Sequence, residues 1–361
     1  MNKAIWFMEG VSSQKDILAA VRRIRFDRQQ AFTLIASHRE NRPEILAEAD
    51  FAYQEPRETG ALLPFITAVV RKHNVVAIHA GKRGAWFEPF RSDIEALGVR
   101  LTTGATEQET FRIADDKALF SERMAEAGLP SVPSLKVTTP DEIMAALASP
   151  LFTDQEPCIK PVQGIYGMGF WILRESAGRL KCFSNPDDRI AHPETYLSAL
   201  RSAATAGERL PTQIVMPYLP GPERSVDMLV ENGCVLVAVA RCKERRIQTL
   251  ENTGPAYDLA TTCAQILGAD GLINIQTRND ADNRPVLLEV NLRPSGGIGY
   301  TLHSGINLPG MFALRQLDLL TDAEISVSLS RFKATCVVPT NDVMPVPVCR
   351  TVSPDIFYTQ D

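Results

Sequence analysis

Short apolar runs alternate with amphipathic stretches through the first hundred residues, and this rhythm constrains the fold more than any other feature of the chain. Ala4-Ile5-Trp6-Phe7-Met8 reads as a strand. A helix follows through Ile17, Leu18, Val21 and Ile24. Further strands are expected at Phe32–Ala36, Phe51–Tyr53, Val75–His79 and near Val99–Leu101, with helical stretches at 62–70 and around Ile94 and Leu97. Strand–helix–strand repetition of this kind builds a parallel sheet covered by helices on both faces. No GxGxxG follows the first strand, so no dinucleotide site is read there.

A second helix signal begins at Asp115-Asp116-Lys117 and ends at Gly128. Acidic residues suit a helix amino terminus and glycine suits its end. From about Pro157 the pattern changes to strands joined by short loops, expected to be antiparallel. The stretch from about Arg331 carries Pro339, Pro345, Pro347 and Pro354 and reads as irregular.

Composition narrows the functional classes. The net charge is −5 over 361 residues, and basic residues cluster only at 241–246. That favours a small anionic ligand over a nucleic acid. No apolar run is long enough to cross a bilayer. The amino terminus reads as a first strand, not a secretory signal, so a cytoplasmic setting is expected. Seven cysteines without a CxxC pair point to free thiols in a reducing compartment.

Three stretches, the second with a glycine-rich turn directly after it, carry chemistry. In Cys158–Leu173 a strand ends at Lys160, a loop with Gly164, Gly167 and Gly169 follows, and a strand resumes at Phe170. Glycines allow backbone N–H groups to face a phosphate, and a lysine beside them supplies a point charge. The alternative is an ordinary hairpin. In 272–278 and 286–293, a hairpin places Asn274, Gln276 and Arg278 on one face and Glu289, Asn291 and Arg293 on one face of the partner strand. Such a carboxylate and amides offer hard oxygen ligands to Mg²⁺, and Arg293 offsets an anionic group. The alternative is a solvated sheet face. Pro294–Gly305 is a glycine-rich turn, read as an anion nest or a flexible loop. The third stretch is Ile214–Leu229, a strand interrupted at Pro217 and Pro220.

In this order, these residues resemble the ATP-grasp superfamily, in particular the branch with the carbamoyl-phosphate synthase large subunit, biotin carboxylase and PylC-like ligases. The resemblance implies an α/β protein with a Rossmann-like pre-ATP-grasp domain at 1–104. A two-lobed ATP-grasp domain would follow at 105–330, with its glycine-loop lobe at about 134–218, and then an extension at 331–361. It implies that Lys117 and Lys160 bind phosphates and that Gly164, Gly167 and Gly169 form the loop over them. Pro217 and Leu219 would meet the adenine, and Glu223 the ribose. Gln276, Glu289 and Asn291 would hold Mg²⁺, with Mn²⁺ as a substitute, and Arg293, Lys160 and Asn291 would be catalytic.

Two positions depart from the family pattern. Met216 replaces the usual hinge glutamate, and Gln276 replaces an acid common at that position. The implied activity is formation of an acyl phosphate from a carboxylate, attacked by an amine, with ATP, acid and amine as small-molecule partners and a homo-oligomer possible. A kinase using the same site, or a non-catalytic nucleotide sensor, are the alternatives. Arg241, Lys243 and Arg246 either add positive charge on the phosphate side or form a solvated strand end. His303 reads as a structural loop residue.

Overall fold

A computed structural model describes residues 2–164, 167–340 and, as backbone, 358–359. The chain divides into two compact units. One comprises Met1–Phe111, Pro222–Gln276 and Val290–Asp361, the other Arg112–Gly221 and Thr277–Glu289.

The first unit opens with the expected parallel sheet. Its strands are β1 (Ala4–Phe7), β2 (Thr33–His38), β3 (Phe51–Gln54), β4 (Val75–His79) and β5 (Arg100–Thr102). They lie in the order β3-β2-β1-β4-β5, all parallel. Trp6, Ile35 and Ile78 face one way and pack on Leu62, Ile66 and Val69 of the helix Thr59–His73. Ile5, Phe7 and Leu34 face the other way and pack on the helix Gln14–Asp27 and on Met311, Phe312 and Leu314. A sheet buried on both faces needs apolar residues at successive positions, which is why these strands lack polar alternation.

The second unit holds a five-stranded sheet of β6 (Leu135–Val137), β7 (Pro157–Pro161), β8 (Trp171–Leu173), β9 (Ile190–Ala191) and β10 (Gln213–Pro217), in the order β6-β10-β7-β8-β9. It is not wholly antiparallel as expected, because β8 and β9 run parallel. Helices also intervene, among them Pro140–Leu147 and Pro193–Thr205. The first of these starts at a capping box in which Thr139 and Glu142 satisfy each other's backbone N–H groups. Ile143 of the first and Leu197 of the second are buried with Ile159 and Val215 of the sheet.

The remaining strands form a sheet ordered β15-β14-β11-β12-β13-β16. They are β11 (Glu223–Glu231), β12 (Cys234–Glu244), β13 (Ile247–Glu251), β14 (Gly271–Asn279), β15 (Pro285–Asn291) and β16 (Thr335–Val337). Strands β14 and β15 each run from one unit into the other. β16 lies inside the segment read as irregular and pairs antiparallel with the edge strand β13. Three prolines of that segment, at 345, 347 and 354, lie outside the described residues. Tyr358–Thr359 forms a last strand, β17, antiparallel to β3. Among the described residues no helix is long and apolar enough to cross a membrane.

Candidate functional site

Lys117 occupies the first turn of the helix Lys117–Glu126 because Asp116 caps it. The Asp116 carboxylate accepts hydrogen bonds from the N–H groups of Ala118 (3.0 Å) and Leu119 (3.2 Å). Lys136 Nζ sits 2.7 Å from its other oxygen. Burial pushes the Asp116 carboxyl upward, but these bonds outweigh it and hold its pKa below the ordinary value. The Lys117 ammonium donates to the carbonyls of Val162 (3.2 Å) and Gly164 (3.4 Å) and lies 3.8 Å from Glu289 Oε2. One predicted phosphate lysine, the glycine loop and one predicted metal ligand are therefore neighbours within the second unit.

Lys160 stands on β7 opposite Ile214 of β10, two residues beyond Cys158, which pairs with Met216. Alternation gives Lys160, Cys158 and their partners a common face. Beneath that face lies an apolar cluster of Val132, Cys158, Ile172, Met216 and Leu219, with Val286 and Leu288 packed against it. Burial raises the Cys158 thiol to about 12, so this wall stays uncharged. Met216 is 5% exposed, and a glutamate there would bury a charge in the cluster; methionine fits where an acid would not. Pro217 ends β10 and Leu219 follows in the same cluster. Tyr218 N–H donates to Glu156 O at 2.7 Å, and Arg278 Nε donates to Gly221 O at 3.0 Å with its guanidinium 5.2 Å from the Tyr218 ring. These contacts fix the chain between β10 and β11, and the sequence reading did not single out Tyr218 or Arg278 for that task.

Gly164, Gly167 and Gly169 all have positive φ. At Gly169 (φ +74°) a Cβ would stand 2.8 Å from Pro161 Cδ, so both the backbone and the space demand glycine.

The first unit holds the other predicted residues. Glu223 pairs with Lys243 across the β11–β12 ladder. Gln276, Asn291 and Arg293 are half-buried. Glu289 and Asn291 are two apart on β15 and share a side of that strand. Asn274, read as sharing a face with Gln276 and Arg278, is fully buried, donating to Asp227 Oδ1 (3.0 Å) and Ser225 Oγ (2.9 Å). Arg241 is buried too and not a free phosphate-side cation. It donates to Asp227, Ser225, Gln248 and Ser295. The signal for this network was present, since Glu223, Ser225 and Asp227 alternate along one strand and share a face. Arg245 and Arg246 are exposed at the β12–β13 turn. The Pro294–Gly305 stretch is ordered as a turn and a 3₁₀ helix, Ile298–Ser304, with Ile298, Thr301 and Ser304 buried. His303 is exposed.

Among the described residues no three His, Cys, Asp or Glu side chains cluster as a metal site. The resemblance gives Mg²⁺ to Glu289 and to the side-chain carbonyls of Gln276 and Asn291. That is an all-oxygen donor set suited to a hard cation.

Residues 209–336 match the family model described as "ATP-grasp in the biosynthetic pathway with Ter operon". No curated protein matches the chain. Similar solved structures include an L-amino acid ligase from Bacillus licheniformis, at 16% identity and TM-score 0.59, covering 90% of this chain and 76% of that one. An N5-carboxyaminoimidazole ribonucleotide synthetase in its ADP complex has 14% identity and TM-score 0.61, covering 88% and 78%. A biotin carboxylase–β,γ-ATP complex from Campylobacter jejuni has 16% identity and TM-score 0.58, covering 90% and 73%. This chain has the ATP-grasp fold, as the resemblance implied, and its match to an ATP-grasp family model lies at residues 209–336.

Proposed function

We propose that the protein is an ATP- and Mg²⁺-dependent ligase that activates a carboxylate as an acyl phosphate and joins it to an amine, releasing ADP and phosphate. The observation that carries this reading is the placement of the Lys117 ammonium against both the glycine loop and Glu289. A cation held there by a capped helix is preorganised for a triphosphate and needs no rearrangement of the helix to meet it.

In this reading Lys117 and Lys160 bind phosphate oxygens, and the loop glycines bring backbone N–H groups close to them. The apolar face of Met216 and Leu219 receives the adenine, with the backbone at Pro217 and Leu219 meeting its edge. Glu223 binds the ribose and exchanges its Lys243 partner for hydroxyls. Gln276, Glu289 and Asn291 hold Mg²⁺, which when bound draws charge from the phosphates. Arg293 and Asn291 orient the acid, and Lys160 offsets the charge that develops during transfer. No side chain needs to act as a nucleophile.

The L-amino acid ligase, the carboxyaminoimidazole ribonucleotide synthetase and the biotin carboxylase are relatives in fold, and their names suit this reaction class. The test is ATP-dependent phosphate release across a panel of acids and amines, for the wild type and for Lys160→Ala and Glu289→Ala. Loss of release in both variants is expected, and full activity in either at saturating Mg²⁺ overturns that residue's role. Hydroxylamine trapping of the product separates an acyl phosphate from a stable phosphorylated product.

A further inference from the structure

The segment 217–221, which leads out of β10, has few backbone donors, and all but one are in use. Pro217 and Pro220 have a fixed φ and no N–H. The Tyr218 N–H donates to Glu156 O at 2.7 Å and the Gly221 N–H to Asn279 O at 3.0 Å. Among the described residues the Leu219 N–H has no hydrogen-bond partner, in a residue only 7% exposed. An unpaired N–H shielded from water is costly, so an acceptor supplied by a ligand is favoured there. The function proposed above gives that acceptor to adenine. Its N1 accepts from Leu219, and its 6-amino group donates to the Pro217 carbonyl.

Arg278 holds the same segment from β14. Its Nε donates to Gly221 O at 3.0 Å and its Nη2 to the Tyr218 hydroxyl at 3.3 Å. Its guanidinium lies 5.2 Å from the centre of the Tyr218 ring, within cation–π range. The next residue, Asn279, stands so close to Gly221 that a Cβ there would fall 2.6 Å from Asn279 Cβ. Gly221 is thus bonded to β14 through both its carbonyl and its N–H, and it has no room to move further onto that strand. A carbonyl, a hydroxyl and a ring face are the partners of Arg278, and none of them is an anion. That sets it apart from Lys117 and Lys160, to which the phosphates are assigned.

We propose that Arg278 is a positioning residue that makes this site select a 6-amino purine over a 6-oxo purine. The proposal rests on the nucleotide reading of the site. A 6-oxo purine reverses both edge groups: its oxygen faces the Pro217 carbonyl, and its N1–H faces the Leu219 N–H. Such a mismatch rejects a ligand strongly only where the protein groups cannot turn to relieve it. Arg278 and Asn279 remove that freedom from the segment. Loosening the clamp therefore costs the 6-amino nucleotide its fitted contacts. The 6-oxo nucleotide, held by its phosphates, has no such contacts to lose.

The experiment is calorimetric titration of the full chain with Mg-ADP and with Mg-IDP, whose bases differ only in the 6-oxo group and the N1 proton. Wild type is expected to bind ADP at least about 100-fold more tightly than IDP. Arg278→Met is expected to weaken ADP by about tenfold and to leave IDP unchanged. Arg278→Lys keeps a donor for Gly221 O without the planar stack and should fall between the two. Tyr218→Leu removes the ring and hydroxyl while leaving the charge, and should also lower the preference for ADP; it carries the test if Arg278→Met does not fold. An unchanged ADP-to-IDP ratio in the folded variants overturns the role of Arg278. Equal loss of both nucleotides also overturns it, since that marks a phosphate-binding cation. A wild type that binds both equally removes selection at the base and leaves the nucleotide reading standing. A wild type that binds neither overturns the nucleotide reading itself.

Discussion

Arg241 Nε donates to Asp227 Oδ2 at 2.8 Å, with side chains 3% and 0% exposed. The pair is a fully buried ion pair whose remaining polar atoms reach Ser225, Gln248, Asn274 and Ser295. Removing one member strands the other charge away from water. Asp227→Ala is therefore expected to cost about 3–5 kcal/mol in urea unfolding. The double variant Asp227→Leu, Arg241→Met is expected to cost less than the single one, because no charge is left unpaired. A single and a double variant of equal stability would contradict this.

Gly297 depends on the same guanidinium. A Cβ there would fall 2.5 Å from Arg241 Nη1 and 2.8 Å from Cζ, and Arg241 is too fully bonded to retreat. Gly297→Ala is expected to destabilise the fold by roughly 1–3 kcal/mol, as overpacking does. In the Arg241→Met background the same substitution should cost much less, which a double-mutant cycle reads directly.

Lys117 and Glu289, 3.8 Å apart, are expected to fail differently. Lys117→Met should reduce ATP-dependent phosphate release by about 10²–10³-fold at every Mg²⁺ concentration, the scale for losing one preorganised charge contact. Glu289→Gln should raise the Mg²⁺ needed for half-maximal release and recover part of the activity at high Mg²⁺. Equal Mg²⁺ dependence in the two variants would remove Glu289 from the metal role.

Acid should destabilise the first unit in two stages. His79 is buried between Phe7 and Phe312, and burial lowers its pKa from 6.5 to about 4. An imidazole kept neutral in the fold and charged when unfolded supports stability above pH 6.5, and this is lost as pH falls toward 4. For Glu9, burial acts upward, but hydrogen bonds from Arg39 and Lys82 prevail and set its pKa at about 2, below 4.5. Its contribution is present above pH 4.5 and is lost as pH falls from there toward 2. Urea midpoints measured from pH 7 to pH 3 should decline throughout, and His79→Phe should flatten the part between 6.5 and 4 whatever its starting stability.

The sequence reading reached the elements whose signals are local. β1, β2 and β4 are buried on both faces and therefore spell out as apolar runs, and Asp116 announces the helix that carries Lys117. The Pro140–Leu147 helix was missed although Thr139-Pro140-Asp141-Glu142 is a capping box, because its 8 residues give too short a stretch of helical periodicity to stand out. β16 was missed for a different reason. Three residues after a helix have no periodicity, and only the free edge of β13 makes them a strand. Among the site residues, strand alternation put Glu289 and Asn291 on one side of β15 and Asn274 on one side of β14 with Gln276 and Arg278, but it did not reveal that Asn274 is buried there. Alternation sorts residues into two faces but does not say which face is covered. The Glu9–Lys82 pair joins two strand ends some seventy positions apart, and only the order of the sheet brings them together.

The division of the chain has a consequence for its synthesis. Ile5, Phe7 and Leu34 of the parallel sheet are covered in part by Ile298, Met311 and Phe312, encoded far downstream. At ~5–20 residues per second, the ~200 residues that follow β5 take roughly 10–40 s to emerge. For that interval one face of the nascent sheet has only part of its cover, the helix Gln14–Asp27, which makes the newly made amino-terminal segment a natural client for a holding chaperone until the last quarter of the chain arrives.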